Sequence, residues 1–383
     1  MLERILLAPY YLTLKIRHAL YDNGVFKVHK CSIPTICVGN IAAGGTGKTP
    51  HTEMIVRTLL ASQDWAHKQI AVLSRGHKRN SSGFQQVGVD DSASFVGDEP
   101  LQIKRKFPEV TVAVDRTRVE GCDFLLNPDK LATSPKAKSC VNKDIKKADL
   151  IILDDAFQYR SLEAYFNIIL VDYNRPPCKD RLLPFGRLRD LPERLRHADI
   201  LLVTKCPPFM DNWEKIEWAR TLGIKNYNPD TCTGIDVYGK QKTILFTTIK
   251  YCPLEPVFKD SDKHYIYSHN LILVSGIASD TPLKRYLSDT YRIVKHFKFS
   301  DHHKYRSWDI RSILNATRRW PTAIIATTEK DSQRLRNYGN MPEELKQRIF
   351  ETPIEVEFLS EHEKEIFQKT LLDALNKFPN KEA

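Results

Sequence analysis

Short, fully apolar runs alternate with stretches of helical spacing from residue 33 onward. "PTICVGN", "QIAVLSRG", "VTVAVD", "ADLIILDDA", "FNIILVDY" and "ADILLVTK" are rich in β-branched residues and end in small or polar ones. Strands that are apolar on both faces belong in a parallel sheet covered by helices on both sides. The pattern therefore predicts an α/β core over residues 31–225, interrupted at 127–148 by a polar, basic loop or insertion. Between 226 and 266 the texture changes to Tyr, Thr, Pro and Cys around strand-like pieces such as "KTILFTTIKY", which predicts a β-rich linker. "NLILVSGIAS", "YRIVKHFKFSDHH" and "PTAIIATTEKD" then resume the alternation, and "SEHEKEIFQKTLLDALNKF" has the spacing of a terminal helix. Residues 267–383 are expected to form a smaller α/β domain.

Residues 1–30 differ again. Leu2, Ile5, Leu6, Tyr10, Leu12, Leu14, Ile16, Leu20 and Tyr21 are interleaved with basic residues, an amphipathic helical pattern in which Pro9 marks a break. Such a helix either packs on its own domain or lies in a membrane interface with its cations near lipid phosphates. Glu3, Arg4, Lys15 and Arg17 interrupt the apolar residues, which argues against a secretory signal. No run of about eighteen apolar residues occurs, so a transmembrane helix is not expected.

Composition narrows the partners. The net charge of +11 suits nucleic acid, an anionic membrane surface or phosphorylated substrates, and does not separate them. The eight cysteines form no C-x-x-C pair and several sit in apolar runs, which reads as buried free thiols rather than metal ligands or disulfides.

The chemistry begins at "CVGNIAAGGTGKTP". A buried strand, a glycine-rich turn and a helix follow one another here, and Gly47-Lys48-Thr49 end a phosphate-binding loop whose first glycine is replaced by Ala42. Residues Ala42, Ala43, Gly44, Gly45, Thr46, Gly47, Lys48 and Thr49 are the expected nucleotide contacts. Backbone N–H groups and the helix N-terminus face phosphate oxygens, Lys48 reaches the β/γ-phosphates and Thr49 ligates Mg2+. "ADLIILDDAFQ" supplies the second requirement: Asp154 and Asp155 end a strand that should meet the loop, where a carboxylate holds Mg2+. The expected fold is a P-loop NTPase-like three-layer α/β/α core with a second, smaller α/β domain and a β-stranded linker.

Three other segments each have two readings. In "VGDEP", Asp98 and Glu99 either cap a helix, with Pro100 in its first turn, or form a carboxylate pair near the γ-phosphate. In "FSDHHKY", Asp301 and His302 either cap the following helix or orient a catalytic carboxylate. The segment from Arg175 to Lys205 holds eight basic and four acidic residues, with Phe185-Gly186 and several prolines against one long helix. It suits an anionic acceptor, or simply a solvated face; it lacks the aromatic spacing that favours single-stranded nucleic acid.

With these motifs in order, the chain resembles the tetraacyldisaccharide 4'-kinases, the lipid A 4'-kinases of Gram-negative bacteria. The landmarks are "VGNIAAGGTGKTP", "LSRGHKR", "VGDEP", "AVDR", "ILDDAFQYR", "LLPFGRLRD", "LVTK", "SGIA", "SDHHKY" and "TTEKD", from about residue 33 to 331. The resemblance implies transfer of the ATP γ-phosphate to the 4'-hydroxyl of a tetraacyl glucosamine disaccharide 1-phosphate, the lipid A precursor. It also implies two α/β/α domains joined by a β-stranded linker, with the nucleotide at the cleft. A peripheral protein on the cytoplasmic face of the inner membrane follows, held there through its N-terminal helix. A monomer that does not bind nucleic acid is expected.

Carried over by motif, Asp98 is the general base, His302 its orienting partner, and Arg189 a transition-state or acceptor-phosphate contact. Lys48 joins the catalytic set, and Thr49, Glu99, Asp154 and Asp155 the metal set. Tyr159 stands where the family usually has His, and Asp190-Leu191 where it often has Glu-Pro. A role for that His does not carry over. The alternative is a P-loop ATPase acting as a nucleotide switch or stimulated by nucleic acid; neither accounts for "GDEP", "LLPFGRLR" and "DHH" together.

Overall fold

The computed structural model describes residues 2–379, and side chains from residue 7 onward. Met1 and residues 380–383 of the expected terminal segments lie outside the described residues, as do the side chains of Leu2, Ile5 and Leu6 from the expected apolar face.

The Thr35–Asn40 strand lies at the centre of the larger sheet because every residue in it is buried. It pairs in parallel with Leu150–Asp154 on one side and Phe166–Asp172 on the other. Ile70–Ser74 and Thr111–Val114 extend the sheet one way, and Ile200–Thr204 and Gln241–Tyr251 the other, all in parallel. The register that sets Val38 opposite Asp154 brings the carboxyl ends of these two strands together, at the edge where ligands bind in open α/β sheets. Helices cover both faces, so the three-layer α/β/α expectation is met.

The expected linker, 226–266, is β-rich and forms part of both sheets. Lys225–Asn228, Thr233–Ile235 and Gln241–Tyr251 widen the large sheet, while Glu255–Pro256 pairs with Ile349–Thr352 in a second sheet. That five-stranded sheet is built mainly from parallel strands: Asn270–Ser275, Arg292–Lys298, Ile324–Thr328 and Ile349–Thr352. Against the expected 267–383 domain, the chain leaves the smaller unit after Thr352. Ile354–Phe358 returns to pair with Gln241–Tyr251, and the Glu361–Asn376 helix buries Phe367, Leu371 and Leu375 in the same cluster as Ile55 and Leu59. An apolar stripe on a terminal helix needs a partner face but does not say which sheet provides it.

The N-terminal helix runs unbroken from Leu2 to Asp22, through Pro9. A proline in the third turn removes one N–H from the ladder, and neighbouring bonds carry the helix past it. Its inner face docks on the large unit: Leu14 is buried in the core, and Tyr10 and Leu7 pack against it. Its outer face exposes Tyr11, Leu12 and Ile16. No described helix is long and apolar enough to cross a membrane. Residues 127–148 contain a short helix, Lys130–Thr133, and a single 3-10 turn, pinned by buried Leu131 and Ala137. All eight cysteines are free thiols.

Candidate active site

The glycine-rich loop closes where the Thr35–Asn40 strand hands over to the Lys48–Leu60 helix. Gly47 precedes that helix with φ 86°, a left-handed backbone that a side chain would strain. The loop is braced from several sides. Asn40 donates to the buried Thr46 hydroxyl at 2.6 Å, the Thr204 hydroxyl donates to the Thr46 carbonyl at 3.0 Å, and the Ala43 N–H donates to the Arg187 carbonyl at 2.6 Å. Ala42 forms a β-bridge with Leu188. Thus the "LLPFGRLR" segment lies against the loop, and a Cβ at Gly44 would meet the Arg187 guanidinium at 2.9 Å.

His51 is a further brace that motif reading did not reveal. It is fully buried, lies 2.7 Å from the Gly47 carbonyl through Nδ1 and 3.0 Å from the Thr247 hydroxyl through Nε2. Burial pushes its pKa down to about 4 against the opposing hydrogen bond that Nδ1–H donates to the Gly47 carbonyl, so the ring is neutral near pH 7. Its only sequence signal was position, three residues beyond Lys48 on the helix.

Asp154 and Asp155 stand where the strand register predicted, beside the loop. Lys48 Nζ is 3.8 Å from Asp155 Oδ2. Arg189 forks onto the Asp155 carboxylate, at 3.2 Å to Oδ2 and with a closer contact to Oδ1, and also reaches Asn40 Oδ1. Asp155 adopts φ 51°, a left-handed backbone that few non-glycine residues take. Asp154 is buried, accepts from the Ser74 hydroxyl at 3.2 Å, and has its pKa pushed up to about 6. Burial is the main cause and the Asp155 charge adds to it, against the pull of Lys48. A carboxylate so penalised favours a compensating cation.

Asp98 does not cap its helix. The cap position is Gly97, with φ 102°, and Asp98 is the first residue of the Asp98–Lys106 helix. Its buried carboxylate instead faces the smaller unit. His302 Nδ1 is 2.8 Å from Oδ2, Arg334 Nε donates to Oδ1 at 3.0 Å, and Arg334 Nη2 donates to Oδ2. Burial alone would raise the Asp98 pKa, but these hydrogen bonds and charges outweigh it and hold it at about 2.

Lys330 completes the cluster, 2.9 Å from Glu99 Oε1, 3.2 Å from Asp301 Oδ1 and 2.9 Å from His302 Nε2. An ammonium can only donate, so His302 Nε2 accepts from Lys330 and its Nδ1–H donates to Asp98. His302 itself has φ 62°, so the Asp301-His302 turn serves the cluster and does not cap the next helix, which begins at Ser307.

The structure thus assembles Lys48, Asp154, Asp155 and Arg189 at the loop, and Asp98, Glu99 and His302 where the two units meet. Thr49 is the second residue of the helix that leaves the loop. Sequence reading missed Lys330 and Arg334. Their signal was present in "TTEKDSQRLR", where a strand leads into the Glu329–Arg336 helix with two cations at i and i+4, on one face.

Two donor groups here bear on the binding of a divalent cation. Asp98, Glu99 and His302 offer ligand atoms within 4.8 Å of one another, but Arg334 and Lys330 already neutralise the two carboxylates. Buried Asp154, with its raised pKa, has the unmet demand for positive charge, and its oxygen donors suit a hard cation.

The chain is similar to known proteins over most of its length. The profile of the family described as tetraacyldisaccharide-1-P 4'-kinase matches residues 2–376. The tetraacyldisaccharide 4'-kinase of Phocaeicola vulgatus is 37% identical over 374 residues, covering 94% of this chain and 91% of its own. That of Parabacteroides distasonis is 35% identical over 370 residues, covering 95% and 91%. The crystal structure of LpxK from Aquifex aeolicus in complex with ATP superposes with a TM-score of 0.66 at 24% identity. It covers 98% of this chain and 100% of that one, and shows a shared fold. Whole-length matches of this strength, on a chain that brings the loop, the paired aspartates and the Asp98–His302 contact together, establish that it belongs to the tetraacyldisaccharide 4'-kinase family.

Proposed function

We propose that this protein transfers the γ-phosphate of ATP to the 4'-hydroxyl of a tetraacyl glucosamine disaccharide 1-phosphate in lipid A biosynthesis. The observation that carries this is Asp98, an ionised carboxylate held by His302 and Arg334 where the two units meet. Loop amides and Lys48 would hold the triphosphate, with Arg189 near the transferred group. Thr49 and Asp154, with Asp155 and Glu99 close by, would hold Mg2+, which when bound neutralises phosphate charge.

A pKa of about 2 makes Asp98 a weak base, and phosphoryl transfer tolerates one. Its transition state is loose, so the acceptor oxygen needs orientation first and sheds its proton late. Each carboxylate oxygen has two acceptor positions, so Oδ1 keeps room for a sugar hydroxyl beside Arg334 Nε. His302 holds the Asp98 carboxylate in place through Oδ2, and meeting of the two units would exclude water that hydrolyses ATP.

The outer face of the N-terminal helix and the net charge of +11 support contact with an anionic membrane surface, on its cytoplasmic side. Incubating purified protein with Mg-ATP and the disaccharide 1-phosphate lipid tests the reading. Phosphorylated lipid is expected. ATP hydrolysis independent of lipid, or stimulated by nucleic acid, would support a switch or nucleic-acid ATPase instead.

A further inference from the structure

The N-terminal helix touches the segment that carries Arg189 from both sides. Tyr10 donates its hydroxyl hydrogen to the Arg189 carbonyl at 3.2 Å, and His18 Nε2 lies 2.6 Å from Asp190 Oδ1. His18 and Asp190 are both buried. Arg160 Nη1 sits 3.3 Å from His18 Nδ1; a guanidinium can only donate, so the imidazole N–H is on Nε2, pointing at Asp190.

Asp190 also faces Arg194, whose Nη2 donates to the Phe157 carbonyl at 3.2 Å and whose guanidinium stacks over the Phe157 ring. Phe157 lies two residues beyond Asp155. The helix reaches that turn directly too, because Arg17 Nη2 donates to the Gln158 carbonyl at 3.0 Å. The Arg189 and Asp190 N–H groups both donate to the Ile41 carbonyl, at 2.9 and 3.2 Å, at the entrance to the glycine-rich loop.

An interfacial anchor alone does not require a buried charge contact 172 residues away. We propose that the N-terminal helix is a working part of the phosphoryl-transfer site: His18 and Asp190 form a positioning pair that holds Arg189 on Asp155 beside the glycine-rich loop. The inference rests on the kinase reading above, with Arg189 as the group near the transferred phosphate.

The test is a double-mutant cycle on the full-length protein, read by steady-state kinetics with the lipid acceptor and by hydrogen–deuterium exchange with Mg-ATP bound. Asp190→Asn, which keeps the shape, and His18→Ala are each expected to lower kcat about tenfold with little change in the KM for ATP. His18→Gln, whose amide can still donate to Asp190, should recover most of that loss. On an Arg189→Ala background, Asp190→Asn should add less than about twofold, because its effect passes through Arg189. Exchange across 186–192 should rise in Asp190→Asn. Additive losses in the cycle, or unchanged exchange in that segment, would overturn the proposal. Should the wild-type protein not phosphorylate the lipid, the functional reading fails, and the exchange measurement still decides whether the pair orders the Arg189 segment. If His18→Ala does not fold, Asp190→Asn and His18→Gln carry the test.

Discussion

Asp154 illustrates how far burial and a neighbouring charge move a single carboxyl. Its pKa in the folded protein, about 6, lies above the usual value of 3.8, so the folded state binds the proton more tightly than the unfolded one. The stabilising effect of that proton is therefore complete below about pH 4 and disappears as the pH rises through about 6. At neutral pH the charged group costs stability, about 3 kcal/mol. Asp154→Asn should raise the melting temperature of nucleotide-free protein at pH 8 and leave it nearly unchanged at pH 4, while abolishing Mg2+-dependent transfer. An equal change at both pH values would remove the burial argument. Asp98 has the opposite sign: its stabilising pairing is present above pH 4 and lost toward about 2. Asp98→Ala should reduce transfer by at least about a hundredfold while ATP binding persists. Full activity in that variant would take Asp98 out of the base role. The acidic residues were legible as motifs, but their protonation was not, since it depends on which cations the fold brings near.

At the scale of elements, the decisive contact is between two short helices. Asp98–Lys106 and Glu329–Arg336 meet through Asp98 with Arg334, Glu99 with Lys330, and Arg105 with Gln333 at 2.6 Å. Lys106 bridges Glu53 at 2.7 Å and Glu329, so one end of the contact is tied to the helix that leaves the glycine-rich loop. Arg334→Ala removes the partner of a buried charge, which costs several kcal/mol in comparable pairs. The expected result is looser contact between the two units, visible as faster hydrogen exchange in both helices, together with a lower kcat. The N-terminal helix is two-faced in the same concrete sense. Deleting it would strip Leu14 from the core, so the proposed membrane contact is better tested on its exposed face. Leu12→Ser with Ile16→Ser should weaken sedimentation with anionic vesicles several-fold and leave thermal stability within about 0.5 kcal/mol per site. Undiminished vesicle binding would refute the interfacial reading. The amphipathic pattern was readable in advance. That one face would carry a buried histidine to Asp190 was not, because both residues are polar and far apart in sequence.

For the whole molecule, the chain's net charge of +11 acts together with the arrangement of the two sheets. The interface between them holds four carboxylates, Asp98, Glu99, Asp301 and Glu329, against Lys106, Lys330 and Arg334, so much of the cationic excess lies elsewhere. Long-range attraction to an anionic surface is screened over about 10 Å at 0.1 M salt. Binding of the protein to phosphatidylglycerol vesicles is accordingly expected to fall steeply between low and physiological ionic strength, while binding to neutral vesicles changes little. Salt-independent binding would place the attraction in the apolar face alone.

The sequence by itself determined the parallel α/β core, the nucleotide loop, the paired aspartates at a strand end and the family landmarks. Each depends on local periodicity or on residue types at fixed short spacing, which the chain states directly. Only the tertiary structure decided which helix caps which sheet, as with Glu361–Asn376 on the larger one. It also decided that Asp98 meets Arg334, 236 residues away, rather than capping its own helix. Such contacts arise when apolar faces find partners and leave charged groups at the seam. Their pairing is set by where the strands place the chain, and no local pattern records it.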